Sequence, residues 1–416
     1  MNSRLFPTKW ASAVFVAWIP IMACMPAHAL TAADPARFEE AISGFESRDK
    51  ATPAPKNATL FVGASNIRRW DSLQKRFGKT VINRGFGGSH MSDVAHFADR
   101  IVIPLKPKQI YVNAGGNDLH GGKSPQEVLT AFEAFVKKVR PALPEARISL
   151  LAIPPSPARW EEVGQVKAAN TLLSDFCAKD GGIDFIDTFS LLLGDDGQPR
   201  PECYVEDRLH LSEAGYDIVT SAIKWQGAIN ALIKLDATAP PPASPIVFVG
   251  SSSIVKWKTL AQDFPGLPVI NRGFGGSEVF DSLTFAHRIV IPYRPRQIVF
   301  YAGGNDINAG KSPERVFKDL QAFAARVHKS LPETRISFIS VAGNPKRWAQ
   351  VQQVRTLNQM VAEWVKTDLR LDFIDVFHPM LQPNGLPLFN IFVSDQLHMN
   401  EKGYAIWTKV VAPYLK

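Results

Sequence analysis

Two serines sit where a nucleophile would be useful. Ser65 ends the run Leu60-Phe61-Val62-Gly63-Ala64-Ser65, and Ser252 ends Ile246-Val247-Phe248-Val249-Gly250-Ser251-Ser252, each an apolar stretch that breaks at glycine. Late in each half of the chain stands an Asp-x-x-His element, Asp207 with His210 and Asp395 with His398. Between them lie two glycine-rich turns, the first ending at Gly88 or Gly276, the second being Gly-Gly-Asn-Asp with Asn117 or Asn305. Acyl transfer needs these types of group. A hydroxyl attacks, an imidazole takes its proton, a carboxylate orients the imidazole, and N–H donors receive the oxyanion. The candidates are therefore Ser65, Asp207, His210, Ser252, Asp395 and His398 for the chemistry, and Gly88, Asn117, Gly276 and Asn305 for the oxyanion.

Each signal alone has a bland reading. A serine after glycine at a strand end is commonly a helix N-cap, and Asp-x-x-His occurs by chance. Recurrence changes the weighing: of nine histidines only His210 and His398 occupy matching positions in the two halves. Ser89 and Ser277 also recur, as competing nucleophiles; their place beside Gly88 and Gly276 marks them as structural neighbours of an oxyanion glycine. The glycine clusters carry no phosphate-loop or dinucleotide fingerprint. Neither His-Glu-x-x-His nor Cys-x-x-Cys occurs, so a metal site is not expected. The formal net charge of +8 comes from basic residues scattered among acidic ones, which argues against a nucleic-acid partner.

The elements that must position these groups are written twice. Val81 to Ser89 returns as Val269 to Ser277, Arg100 to Pro104 as Arg288 to Pro292, and Ala114 to Asp118 as Ala302 to Asp306, all at an offset of 188. Ser65 to Ser252 is 187, so one residue was gained or lost before Asn83 or Asn271. A period this long means duplicated domains. In the first copy, strands are predicted at about 59–63, 80–86, 109–114, 147–153 and 183–189. Ser124-Pro125-Gln126-Glu127 has the form of a capping box, and Val128, Leu129, Phe132, Phe135, Val136 and Val139 follow at helical spacing. Nearly all-apolar strands alternating with amphipathic helices predict a parallel sheet covered on both faces, where ligands bind at the carboxyl ends of the strands. The fold class is α/β: two tandem three-layer α/β/α domains of about five parallel strands each. Their expected bounds are 30–57 for an N-terminal lead-in, 58–235 for domain 1, 236–244 for a proline-rich linker and 245–416 for domain 2.

Residues 1–29 stand apart as a signal peptide. Arg4 and Lys9 precede a mostly apolar run that ends in Ala27-His28-Ala29, an A-x-A site that predicts cleavage after Ala29 and a periplasmic or secreted protein. The run, interrupted by Pro20 and Pro26, is short for a membrane span, and a lipoprotein signal at Cys24 fits less well because Met22 is out of pattern. Removing Arg4 and Lys9 leaves a charge of +6. Two cysteines remain, Cys177 and Cys203. An oxidising compartment would allow a disulfide between them, and the apolar counterparts Val365 and Ile391 fit two buried thiols equally well.

In their block order these motifs resemble the SGNH, or GDSL, hydrolase superfamily over nearly the whole of each unit. The resemblance implies a flavodoxin-like fold, Ser65 and Ser252 as nucleophiles, Gly88, Asn117, Gly276 and Asn305 as oxyanion donors, and Asp207–His210 and Asp395–His398 as the remaining triad members. It implies ester hydrolysis through an acyl-serine, with no metal or organic cofactor. The expected substrate is a small-molecule or saccharide ester carrying a short acyl or acetyl group. The alternatives are an acyltransferase acting on saccharide hydroxyls and a non-catalytic carbohydrate-binding module. One departure stands out: the family's Asp before the serine is Ser251 in unit 2, able to hydrogen-bond locally, and Ala64 in unit 1, which is not. The segment after the fourth strand also differs, Pro154 to Trp160 against Ala342 to Trp348. Asn344 and Lys346 are expected to favour a more polar or anionic substrate in the second site, while Arg and Trp persist in both.

Overall fold

The computed structural model describes residues 34–416; the expected signal peptide, its cleavage site and Cys24 lie outside them. Each unit is a five-stranded parallel sheet. In unit 1, β1 (Thr59–Gly63), β2 (Val81–Gly85), β3 (Gln109–Asn113), β4 (Arg147–Leu151) and β5 (Ile183–Ile186) lie in the order β2-β1-β3-β4-β5. In unit 2, β6 (Ile246–Gly250), β7 (Val269–Gly273), β8 (Gln297–Tyr301), β9 (Arg335–Ile339) and β10 (Leu371–Ile374) repeat that order and the register, Gly63 standing opposite Gly85 and Asn113 as Gly250 stands opposite Gly273 and Tyr301. The strands begin and end within three residues of their predicted bounds. The order reverses beside β1 and β6, so the strand followed by the candidate nucleophile ends at the switch point where open α/β sheets bind ligands.

Helices cover both faces. Unit 1 contains α1 (Glu39–Ala51), α2 (Ser65–Arg68), α3 (Leu73–Phe77), α4 (Met91–Ile101), α5 (Gly116–His120), α6 (Pro125–Ala142), α7 (Val163–Asp180) and α8 (Glu213–Thr238). Unit 2 continues with α9 (Ser252–Val255), α10 (Leu260–Asp263), α11 (Val279–Ile289), α12 (Gly304–Asn308), α13 (Pro313–Ser330), α14 (Val351–Trp364) and α15 (Glu401–Val411). The capping box forms, with Ser124 N donating to Glu127 at 2.7 Å, and all six predicted apolar positions of α6 are buried. The extra residue of unit 2 lies in the turn between Phe264 and Val269, where the two units' sequences run Gly78-Lys79-Thr80 and Pro265-Gly266-Leu267-Pro268.

Two expectations about organisation are corrected. The stretch 30–57 is not merely a lead-in, because α1 packs on α4 and buries Ile42 and Phe45. Helix α8 also runs to Thr238, so Asp236, Ala237 and Thr238 are helical and not part of a spacer. Its first half covers the sheet of unit 1. Its second half stands to unit 2 as α1 stands to unit 1: Asp49 pairs with Arg84, and Asp236 of α8 pairs with Arg272. Phe38 meets Phe86 edge-on at 5.1 Å, and Trp225 of α8 meets Phe274 in the same way at 5.7 Å. One apolar cluster consequently joins Val219, Ala222 and Ile229 of α8 to Phe285 and Ile289 of unit 2. Cys177 and Cys203 are free, buried thiols in separate clusters, and burial pushes them up to about 12 and about 11. Among the described residues no helix is long and apolar enough to cross a membrane.

Candidate active site

The glycine that ends the first strand is dictated by space. A Cβ on Gly63 would stand 1.9 Å from the Asn113 carbonyl oxygen, and one on Gly250 1.9 Å from that of Tyr301. The chain must press against its neighbour there because the next residue's amide bonds that same carbonyl: Ala64 N to Asn113 O and Ser251 N to Tyr301 O, both 3.0 Å. This turn presents Ser65 or Ser252 as the first residue of a helix of only four residues, too short for the sizeable dipole expected of a full helix. The turn is braced from two sides. Asn83 donates to Ile67 O at 2.7 Å and accepts from Gly85 N, as Asn271 does with Ile254 O at 2.6 Å and Gly273 N. Tyr216 donates to Asn66 O and Tyr404 to Ser253 O, both at 2.9 Å. The Ser251 hydroxyl has no hydrogen-bond partner among the described residues, so the expected local brace from that side chain is absent and the backbone holds both turns alike.

The Asp-x-x-His spacing works through a tight turn. Oδ1 of Asp207 accepts from the amides of Leu209 and His210, and Oδ1 of Asp395 from those of Leu397 and His398, all at 2.9 Å. That leaves Oδ2 for the imidazole: His210 Nδ1 lies 2.7 Å from Asp207 and His398 Nδ1 2.6 Å from Asp395. Both carboxyls are held well below the usual carboxylate range, by the histidine's backbone N–H first and its side chain second. Closing the turn forces Arg208 and Gln396 to φ of 56° and 57°, conformations that bulky residues seldom adopt. In unit 2 the chain of hydrogen bonds is complete, with His398 Nε2 2.9 Å from Ser252 Oγ. In unit 1 no hydrogen bond joins Ser65 to His210, and Asp207 is shared with the Arg69 guanidinium at 3.3 Å. The residue matching Arg69 in unit 2 is Lys256.

Opposite the serine stand the predicted oxyanion groups. Gly88 and Gly276 have φ of 81° and 88°, which favours glycine. Their amides and those of Ser65 and Ser252 have no acceptor among the described residues, which leaves them free for a ligand oxygen. Asn117 Nδ2 donates to Ser89 O at 3.1 Å and Asn305 Nδ2 to Ser277 O at 2.9 Å, leaving the second N–H of each carboxamide unused. Ser89 and Ser277 themselves are fully buried and line neither pocket.

Sequence reasoning missed what orients those carboxamides. Arg159 Nη1 donates to Asn117 Oδ1 at 3.1 Å, and Arg347 Nη1 to Asn305 Oδ1 at 3.0 Å and Gly304 O at 3.1 Å. An amide gripped at both ends cannot flip, and a cation on its oxygen strengthens donation from its nitrogen. Burial lowers both guanidinium pKa values. The signal in the sequence was the persistence of Arg in two otherwise dissimilar loops. Asp118 and Asp306, next in sequence, are buried anchors: they accept from Met91 N and Val279 N and bind Lys123 and Lys311.

The pocket walls differ. Around Ser65, Ile153, Pro154, Pro155, Trp160 and Val166 line a cavity of about 70 Å³. Around Ser252 the cavity is about 40 Å³, closed by Tyr301, Ala342, Met380, Phe392 and Trp407. The expectation for the second wall is only half met. Asn344 lines the pocket but spends its Oδ1 on Arg347 N, and Lys346 is exposed outside it, its amide bonded to Gln396 O.

Residues 56–218 and 248–406 each match the GDSL-like Lipase/Acylhydrolase family. No curated protein matches the chain. Among solved structures, a GDSL-like lipase from Bacteroides thetaiotaomicron VPI-5482 is 20% identical, with 45% of this chain and 96% of that one covered and a TM-score of 0.40. A carbohydrate esterase family 3 protein from Talaromyces cellulolyticus is 15% identical (42% and 96% covered, TM-score 0.35). A variant of an acetyl-xylooligosaccharide esterase from Geobacillus is 18% identical (41% and 93% covered, TM-score 0.35). With the family matched twice over most of its length, the chain belongs to the GDSL-like Lipase/Acylhydrolase family and is a carboxylic ester hydrolase built as a tandem pair.

Proposed function

We propose that the chain is an exported serine esterase with a site in each unit, which removes short acyl groups, acetyl foremost, from small-molecule or saccharide esters. The observation that carries the reading is the unbroken chain Asp395 Oδ2, His398 Nδ1, His398 Nε2, Ser252 Oγ, with bonds of 2.6 and 2.9 Å. In that geometry His398 takes the Ser252 proton as Oγ attacks the ester carbonyl, and Asp395 holds the ring in the right tautomer and stabilises the imidazolium. The oxyanion is received by the amides of Ser252 and Gly276 and by the spare N–H of Asn305. His398 then protonates the departing alcohol, and a water activated by the same imidazole releases the acid. The aromatic closure of the Ser252 pocket by Tyr301 and Trp407, 4.7 Å apart, supports a small acyl group. Export rests on residues 1–29. In the Ser65→Ala, Ser252→Ala double variant hydrolysis of p-nitrophenyl acetate is expected to fall to background, while Ser89→Ala with Ser277→Ala keeps substantial turnover. Activity retained in the first pair would overturn the assignment.

A further inference from the structure

The second site borders a cleft between the units. Between the units runs a cleft of about 420 Å³ whose walls are α3 and α8 of unit 1 on one side and the loops of Gly276 and Gly310 on the other. Those two loops belong to the Ser252 site. The glycine turn borders the nucleophile directly, since a Cβ on Gly275 would stand 3.8 Å from Ser252 Cβ, and Gly310 lies just past the helix that carries Asn305. The cleft therefore opens from the rim on which the oxyanion donors stand. Trp225 reaches it from α8: a Cβ on Gly276 would be 3.2 Å from the indole edge. The equivalent of Trp225 in unit 1 is Phe38, whose smaller ring packs on Phe86 but does not extend to Gly88, where a Cβ would meet nothing within 4 Å.

The chemistry of the walls is specific. Five cationic and four anionic side chains line the cleft, and the principal ones are paired. Arg76 bonds Glu213 at 2.6 Å and Asp217 at 2.5 Å, and Lys311 bonds Glu278 at 2.8 Å. Compensated charges offer many hydrogen-bond donors and acceptors without a strong field of one sign. Beside an aromatic ring, such a surface suits a neutral, polyhydroxylated ligand, whose ring faces are apolar and whose edges carry hydroxyls. The pocket at Ser252 itself is enclosed by bulky side chains and has room for a small acyl group, which leaves the larger alcohol portion of an ester to lie along the open cleft.

We propose that the inter-unit cleft is the alcohol-side subsite of the Ser252 site and binds the saccharide portion of an acylated oligosaccharide against Trp225. This rests on the reading of Ser252 as the esterase nucleophile, and it makes unit 1 a contributor to the specificity of unit 2. The test uses the full chain carrying Ser65→Ala, so that only the second site turns over, with p-nitrophenyl acetate and O-acetylated xylotetraose as substrates. Trp225→Phe, which installs the residue found at the unit 1 position, is expected to lower kcat/KM for the tetraose ester about tenfold, mainly through KM, and to leave p-nitrophenyl acetate turnover within about twofold. Ala309→Trp, which fills the cleft from the opposite wall without removing any packing, is expected to do the same. Melting temperatures read alongside identify folded protein. A parallel loss on both substrates, or no change on either, would overturn the subsite while leaving the esterase reading intact. Failure of the Ser65→Ala parent to hydrolyse either ester would overturn the nucleophile assignment and the subsite with it.

Discussion

Two triads of the same composition are expected to work at different rates. Ser65→Ala isolates unit 2 and Ser252→Ala isolates unit 1. In unit 2 the Ser252–His398 bond is already made at 2.9 Å, whereas unit 1 must form it on the way to the transition state. A hydrogen bond of this kind has a net worth of about 0.5–1.5 kcal/mol. Arg69 adds a second handicap, because its charge on Asp207 opposes the imidazolium that the carboxylate should stabilise. Arg69 is 52% and Asp207 41% exposed, so solvent screens the pair and limits this effect to roughly 0.2–1 kcal/mol. Together the two terms approach about 1–2 kcal/mol, or about 5- to 30-fold in kcat/KM. The assay is initial-rate hydrolysis of p-nitrophenyl acetate, a substrate small enough to bypass differences in the pocket walls. Adding Arg69→Gln to the unit 1 enzyme is expected to recover about two- to fivefold at low ionic strength, and less as salt rises. Equal rates in the two single-site enzymes, or a further loss on Arg69→Gln, would refute the reasoning.

Replacing Arg347 by Met in the Ser65→Ala enzyme frees the Asn305 carboxamide to rotate; kcat is expected to fall about 10- to 100-fold with KM little changed, Lys restoring part of the loss, and a pure KM effect would show that the arginine binds substrate instead. The pH profile of kcat/KM is expected to have an acid limb of slope one. The mechanism needs a single base free of its proton, and Asp207 and Asp395, whose pKa values are depressed, stay ionised as pH falls and add no second step; a limb of slope two would contradict this. Gly250→Ala puts a methyl 1.9 Å from the Tyr301 carbonyl oxygen, so its cost is expected at or beyond the top of the roughly 0.5–3 kcal/mol range of ordinary substitutions, and an unaltered thermal melt would disprove the close approach.

The fold was legible because its strands are buried on both faces and read as nearly unbroken apolar runs, with α6 supplying an unambiguous helical period. The candidate site was legible because it is written twice: recurrence picked His210 and His398 out of nine histidines, and among the serines that recur only 65 and 252 follow the glycine that ends the first strand of each unit. What stayed hidden depends on distances that no spacing encodes. Arg159 and Arg347 sit on short turns where a cation ordinarily faces solvent, and only the structure shows each guanidinium turned inward onto an asparagine oxygen. The residue before the candidate nucleophile stood out in the sequence, Ser251 against Ala64, yet the turns are held by matching backbone bonds. The difference between the units lies instead at the serine–histidine contact and at Arg69, a position that reads as one more exposed base.

The largest misreading concerned where one unit ends, and its cause is physical. A triple proline marks a break in helix, so the spacer was set around it, but a helix can serve two cores before it reaches such a break. Over its first half α8 turns Tyr216 and Val219 to the sheet of unit 1, and over its second it offers Ile229 and Asp236 to unit 2. Residues 34–51 and 221–238 correspond at the same offset of 187 as the nucleophiles, with Ala41, Ile42 and Asp49 matched by Ala228, Ile229 and Asp236. No other identity survives, because one copy of this helix begins the described chain while the other must also continue a helix that already covers a neighbouring sheet. A boundary drawn at 236–244 would strip unit 2 of the residue that pairs with Arg272 and of the indole that flanks Gly276. The duplication thus makes the units unequal: the first holds its own opening helix, and the second borrows one from its neighbour, and with that helix comes a cleft beside Gly276.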